Sequence, residues 1–207
     1  MKEIERISKV VDYLDEIKVV IFDLDDTLYQ EKDYIKSGYK KIAKRFPKIP
    51  NMYNKLWKAF LEGKKAIDEV LNAEEIYSDA LKEECLQIYR NQNPEIKLSE
   101  EVRELLVGLK QKGFLLGIIT DGRPEGQRAK IKALGIEGYF DRIIITDELG
   151  GVEYRKPNEK AFLIMKENFS VKYSQMVYVG DNIKKDFIAP NKLGMKSIYY
   201  RNREGLY

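Results

Sequence analysis

Histidine is missing from all 207 residues. Its absence excludes Ser-His-Asp and Cys-His catalysis, histidine general acids and histidine metal sites in one step. Cysteine occurs once, at Cys85, so no intramolecular disulfide and no Cys-rich zinc site can form. Proton transfer and metal binding fall to carboxylates, lysines and tyrosines, and carboxylate and carbonyl oxygens suit hard cations. Long apolar runs are missing too. The first run, Val19-Val20-Ile21-Phe22, is too short to span a bilayer and lies too far into the chain to be a signal sequence. No membrane attachment and a cytoplasmic location are therefore expected. Neither charge dominates: 37 Lys and Arg face 34 Asp and Glu, a formal net charge of +3, and no nucleic acid partner is expected without a clustered basic stripe. Hydrophobic residues make up 43%, enough to fill a core, and the length fits one domain or one domain carrying an insertion.

Apolar periodicity divides the chain. In residues 1–18, Ile4, Ile7, Val10, Val11, Leu14 and Ile17 recur at helical spacing and predict an amphipathic helix on the domain surface. Residues 18–22 then form a short β-branched run ending in acids, as a buried strand does. Similar runs follow at 114–119, 142–146, 176–179 and 196–200, with helical stretches at 100–112, 127–134, 158–168 and 184–193. Gly113, Gly135 and Gly194 sit just past such stretches, where a left-handed cap is wanted. Strands alternating with helices imply βαβ units and a mostly parallel sheet covered on both faces. The alternation fails between Tyr29 and Leu98, where helical patterns are broken at Pro47, Pro50, Gly63 and Pro94. That segment is too long for a simple crossover and reads as an inserted helical cap. The expected organisation is a core of residues 1–29 and 99–207 with a cap of residues 30–98.

The chemistry lies at the ends of the predicted strands, where open α/β sheets bind ligands. The first strand runs into Asp23-Leu24-Asp25-Asp26-Thr27. In extended chain, residues two apart point the same way, so Asp23 and Asp25 face one crevice. Two close carboxylates repel unless a cation lies between them or one holds a proton; the same pair can divide nucleophile and acid/base work. A capped strand-to-helix turn would use the same residue types. The second strand ends in Thr120-Asp121-Gly122, whose hydroxyl and backbone N–H groups could bind phosphoryl oxygens. After the third comes Arg155-Lys156-Pro157-Asn158, opening a helix with Pro early in it, where Lys156 could supply a fixed charge. The fourth ends in Gly180-Asp181-Asn182, with Asp186 following, and suggests a metal ligand.

Taken in chain order, Asp23-x-Asp25-x-Thr27, Thr120, Lys156-Pro157 and Gly180-Asp181 with Asp186 resemble the haloacid dehalogenase superfamily of phosphohydrolases. The resemblance runs from Lys18 to Tyr200, and the helical segment is similar to the C1-type cap of that superfamily. It implies a Rossmann-like, doubly wound α/β fold with a parallel sheet ordered 3-2-1-4-5, which brings Asp23, Thr120 and Asp181 together. It implies a magnesium-dependent phosphatase of small phosphate monoesters. In that chemistry Asp23 attacks phosphorus to give an aspartyl phosphate, and Asp25 protonates the leaving oxygen and later deprotonates water. Magnesium is then held by Asp23, the Asp25 carbonyl and Asp181. Thr120, Asp121 and Gly122 form the phosphate-binding loop and Lys156 neutralises charge, while Thr27, Asn182 and Asp186 play supporting roles. Two departures stand out. Asp121 replaces the Asn usual in that motif and puts a negative charge beside the phosphate unless it points away or pairs with Arg123. The acid at Asp25, which the metal-free dehalogenases lack, favours phosphoryl transfer over carbon–halogen cleavage.

In that superfamily the cap closes over the site and supplies substrate contacts. Candidates here are Lys32, Lys36, Lys40, Lys64 and Lys65, with Tyr34, Tyr39 and Trp57 as packing surfaces, and Gly63-Lys64-Lys65 as a specificity loop. The same lysine spacing also fits a solvated helix face, and aromatic residues at helical spacing also fit a core. A closed lid favours a small phosphorylated metabolite as partner. Two other readings remain open from sequence: a phosphosugar phosphomutase, and a non-catalytic binding or regulatory module on the same fold.

Overall fold

The computed structural model describes residues 1–206. A six-stranded, all-parallel sheet is built from β1 (Lys2–Ile4), β2 (Val19–Phe22), β3 (Leu115–Thr120), β4 (Arg142–Ile145), β5 (Met176–Gly180) and β6 (Lys196–Tyr200). The α-helices are α1 (Glu31–Arg45), α2 (Met52–Leu61), α3 (Ala66–Ala73), α4 (Asp79–Arg90), α5 (Glu100–Gln111), α6 (Pro124–Leu134), α7 (Lys160–Phe169) and α8 (Ile188–Lys192). The strand order is β1-β6-β5-β2-β3-β4. Counted from β2 as the first expected strand, this is the expected 3-2-1-4-5 with β1 added at one edge. The chain divides into two compact units, one of Met1–Glu31 with the chain from Lys97 onward, the other Lys32–Ile96.

β2 lies between β3 and β5, and all four of its residues are buried. A central parallel strand is covered on both faces, which is why it reads as a continuous apolar run. Val19 and Ile21 join Ile119, Ile144, Phe162, Met165 and Tyr178 in one cluster, with α7 packed on β3 and β4. Gly117 makes that approach possible: a Cβ there would lie 3.0 Å from the Met165 sulfur. Gly113, Gly135 and Gly194 take positive φ values of 81°, 64° and 78°, as left-handed caps require.

The amino-terminal segment is not an α-helix. Residues Lys2–Ile4 form β1, and Ile7–Tyr13 form a 3-10 helix. The apolar spacing is shared between two elements: Ile4 is the buried end of β1, while in the 3-10 helix Ile7 and Val10, one turn apart, are buried and Val11 is 40% exposed. The 3-10 helix packs against α5. Helix α8 is also shorter than the apolar pattern suggests. A helix begun at residue 184 would place Pro190 in its interior, where it lacks an N–H and clashes with the preceding turn; begun at Ile188, it holds Pro190 in its first turn. Nor does Pro157 open α7, which starts three residues later with the Lys160 N–H donating to Asn158 Oδ1 at 2.8 Å.

Within the unit Lys32–Ile96, several predicted substrate contacts are packing residues. Tyr34 and Tyr39 are buried, and the Tyr34 ring meets the edge of Tyr89 at 5.6 Å between centroids. Trp57 stacks on Phe60 at 5.2 Å, with Lys36 above it and 3.1 Å from Asp33. Lys64 bridges Glu62 and Glu69 at 3.0 and 2.8 Å. Cys85 is buried in α4, and burial pushes its thiol up to about 11, so it has no thiolate character at neutral pH.

Candidate active site

β2 delivers Asp23 to the carboxyl end of the sheet, where the Asp23 N–H donates to Val179 O at 2.9 Å. Thr120 ends β3, and Asp181 follows β5. Because β3 and β5 flank β2, residues a hundred positions apart converge on one cavity of about 420 Å³ lined by Asp23, Asp25, Thr120, Asp121, Lys156 and Asp181, among others. Lys156 Nζ lies 2.7 Å from Asp23 Oδ1 and 2.8 Å from Asp186 Oδ1, and donates to the Tyr178 hydroxyl at 2.8 Å. Its side chain is 1% exposed. Burial alone would lower the Lys156 ammonium, but the charges of Asp186 and Asp23 outweigh it and hold the group protonated well above the ordinary lysine range.

Three acids crowd around that single ammonium. Asp23, Asp181 and Asp186 each present a carboxylate oxygen within 4.8 Å of the other two. Burial pushes Asp23 up to about 7; Lys156 opposes that rise and Asp186 adds to it. Burial, then the charges of Asp23 and Asp186, push Asp181 up to about 8. Asp186 Oδ2 accepts from the Asn182 N–H at 3.0 Å. Asp181 Oδ1 accepts from the Thr27 hydroxyl at 3.2 Å, but Asp181 Oδ2 is buried with no hydrogen-bond partner. A buried, unpartnered carboxylate oxygen beside a second acid is costly unless a cation satisfies it. The donor set therefore fits a metal ion, and its all-oxygen chemistry fits a hard one.

Asp25 belongs to a different network. Its Oδ1 lies 2.7 Å from Lys130 Nζ and accepts from the Tyr29 hydroxyl; its Oδ2 accepts from Gln127 Nε2 at 2.8 Å. Burial raises the Asp25 carboxyl, but Lys130, Tyr29 and Gln127 outweigh it and hold the group below its ordinary value. The Gln127 amide also donates to Thr120 Oγ1 at 2.6 Å, linking the two predicted motifs. Gln127, Lys130 and Tyr29 did not stand out from sequence. The available signal was in α6, where Gln127 and Lys130 are buried along with Ile131 and Leu134, polar side chains at i and i+3 on an otherwise apolar stripe.

The loop after β3 corrects one expectation. Asp121 does not pair with Arg123. Its Oδ2 accepts from Lys185 Nζ at 2.8 Å, and its Oδ1 from the Thr146 hydroxyl and the Lys156 N–H, both at 3.0 Å. Burial raises Asp121, yet Lys156 and Lys185 hold it below its ordinary value. An ionised acceptor with its lone pairs engaged cannot bind phosphate through that side chain; it anchors the Lys156 loop instead. Beside the loop, the Asp147 carboxylate is gripped by Arg155 Nε and Nη2, each at 2.7 Å. Thr120 and Asp121 both line the cavity, and Thr120 Oγ1 already accepts from the Gln127 amide. Lys185, Tyr178 and Glu31 are further participants unmarked in the sequence. Burial, and then the charge of Asp25, push Glu31 up to about 7.

The match to a family model for haloacid dehalogenase-like hydrolases covers residues 20–200, and the chain belongs to that family. Among its relatives is a glyceraldehyde 3-phosphate phosphatase of Methanocaldococcus jannaschii, 29% identical over 88% of this chain and 84% of that protein. A phosphoglycolate phosphatase of Aquifex aeolicus is 26% identical over 87% of this chain and 83% of its own length. In fold, the chain is similar to a haloacid dehalogenase-superfamily hydrolase of Geobacter sulfurreducens, with a TM-score of 0.68 at 19% identity over 91% and 89% of the two chains. No helix among the described residues is long and apolar enough to cross a membrane.

Proposed function

We propose that the chain is a magnesium-dependent phosphatase that hydrolyses small phosphate monoesters through an aspartyl phosphate on Asp23. The observation that carries this reading is the Asp23–Lys156–Asp186 cluster beside the unpartnered Asp181 oxygen, set in one cavity with Thr120. The relatives named as phosphatases of glyceraldehyde 3-phosphate and phosphoglycolate support a small phosphorylated metabolite as substrate.

Asp23, Asp181 and the Asp25 carbonyl would hold the cation. A bound divalent ion supplies the positive charge that lets an anionic nucleophile meet a dianionic ester. Lys156 adds a fixed second charge, and Asp186 and Tyr178 fix the position of its Nζ. Thr120 donates its hydroxyl to a phosphoryl oxygen. An Asp23 oxygen attacks phosphorus, the P–O bond to the leaving group breaks, and the leaving oxygen takes a proton from Asp25. A water molecule then gives a proton back to Asp25 and attacks phosphorus; the Asp23–phosphorus bond breaks and inorganic phosphate leaves. At rest, Lys130 keeps Asp25 ionised, the form that serves the second step. An arriving phosphate dianion raises the carboxyl it approaches, which provides the protonated form for the first step. The unit Lys32–Ile96 serves, in this reading, as the cap.

The test is phosphate release from an aryl phosphate with and without magnesium, for the wild type and Asp23→Asn. Removal of a nucleophile that acts with its partners as a unit costs on the order of a thousandfold or more. Activity dependent on the divalent ion and lost in Asp23→Asn is expected, with acid-quenched label on the wild type alone. Turnover that survives Asp23→Asn overturns the mechanism.

A further inference from the structure

One carboxylate of the catalytic cavity has no place in the chemistry above. Glu31, the first residue of α1, lines the cavity alongside Asp23 and Asp25. Its backbone N–H is tied to Asp26 Oδ1 at 2.9 Å, which fixes where the side chain begins. Hydrogen bonds and ion pairs are found for Asp23, Asp25, Asp121 and Asp186 around the same space, but none reaches the Glu31 carboxylate among the described residues. An acceptor held at a cavity wall without a partner within the protein is available to a ligand.

Its place relative to the reacting groups gives the ligand's chemistry, and this step rests on the phosphatase reading. The phosphoryl group lies between Asp23, Thr120 and Lys156, and the leaving oxygen faces Asp25. Glu31 lines the cavity with Asp25, and its backbone N–H is held by Asp26, the residue next to Asp25, so Glu31 stands on the leaving-group side. Two other cations lining the cavity are engaged, Arg155 by Asp147 and Lys185 by Asp121. We infer that Glu31 selects the leaving group, accepting a hydrogen bond from a hydroxyl on an uncharged carbon chain and rejecting esters whose leaving group carries a carboxylate. Burial and the charge of Asp25, opposed by Lys130 and reinforced by Asp26 and Asp23, disfavour charge on Glu31, and the same acids oppose an added anion. A hydroxyl suffers no such repulsion and finds a partner that is otherwise unsatisfied.

The experiment compares kcat/KM for glycerol 3-phosphate and for phosphoglycolate, with magnesium, in the wild type, Glu31→Gln and Glu31→Ala. The readout is the ratio of the two values within each protein, which general damage does not move. The wild type is expected to favour glycerol 3-phosphate by about tenfold or more, and Glu31→Gln to shift the ratio toward phosphoglycolate by about tenfold, the equivalent of roughly 1.4 kcal/mol. A ratio within about twofold of the wild type in both variants, or a parallel loss on both esters, overturns the inference. Turnover of an aryl phosphate but of neither ester overturns it too and leaves the phosphatase reading standing. No hydrolysis of any of the three overturns both.

Discussion

Two buried lysines meet three acids of the site, and they are satisfied differently. Lys156 has nearly no exposure, donates to Asp23 and Tyr178, and adds an ion pair with Asp186. A buried ion pair repays its desolvation only when its remaining hydrogen bonds are made, and here Asp186 Oδ1, though 2.8 Å from the ammonium, makes none. Lys130 meets Asp25 from α6 with side-chain exposures of 7% and 18%. Removing one partner of such a pair leaves an uncompensated charge, and Lys130→Met is expected to cost about 3 kcal/mol in urea unfolding near neutral pH. The pH dependence follows from Asp25. Its carboxyl is held down in the folded chain, so its stabilising contribution is present above the ordinary Asp value and is lost as pH falls through the depressed one. Without Lys130 the folded value rises, and the acid-side loss of stability begins at higher pH. Superimposable unfolding curves for the two proteins across the acidic range would show that the pair carries no such coupling.

At the scale of elements, the sheet was legible wherever a strand is buried on both sides. β2, β3 and β5 read as apolar runs because parallel central strands must be. β1 was not legible: Lys2-Glu3-Ile4 has one buried residue and is held at the edge by β6, so its state depends on tertiary pairing rather than on its own pattern. The acids at the strand ends were legible for the same topological reason, whereas two of the three Asp25 partners, Gln127 and Lys130, come from a helix a hundred residues away and nothing local marks them. The end of β5 shows how an element shapes the site. A Cβ on Gly180 would fall 2.5 Å from Asp186 Oδ2, and Asp186 cannot retreat because Lys156 and the Asn182 N–H hold it. Gly180→Ala should therefore destabilise the chain by about 1–3 kcal/mol and lower kcat/KM by displacing the Lys156 ammonium. Gly108→Ala is the contrast: it lies in α5 with nothing within 4 Å of a new Cβ, and should stabilise by about 0.5–1 kcal/mol. Thermal unfolding and kinetics of the pair would separate the steric claim from a general intolerance of Gly→Ala, and equal effects at the two positions would sink it.

For the whole molecule, the concentration of acids at one end of the sheet makes stability depend on what neutralises them. Asp23 is pushed up to about 7 and Asp181 to about 8, both from an ordinary value near 3.8. A folded chain without metal thus holds protons at these sites that the unfolded chain releases. Their contribution is complete below the ordinary Asp value and is lost as pH rises through about 7 and 8, so metal-free stability declines over that interval. A cation has the opposite dependence, because it binds the ionised carboxylates and must displace those protons. At about a hundredfold excess over its dissociation constant it adds roughly 2.7 kcal/mol, and at low pH proton competition removes most of that. Thermal unfolding with magnesium and with a chelator should therefore diverge: nearly the same Tm at about pH 5, and a clear gain with magnesium at about pH 8. Asp181→Asn removes one of the raised carboxyls and one ligand. It should lift the Tm measured in chelator at about pH 8 while abolishing most of the gain from magnesium. A magnesium shift of the same size at both pH values, or one that survives Asp181→Asn, would place the ion away from the acids that end β2 and β5.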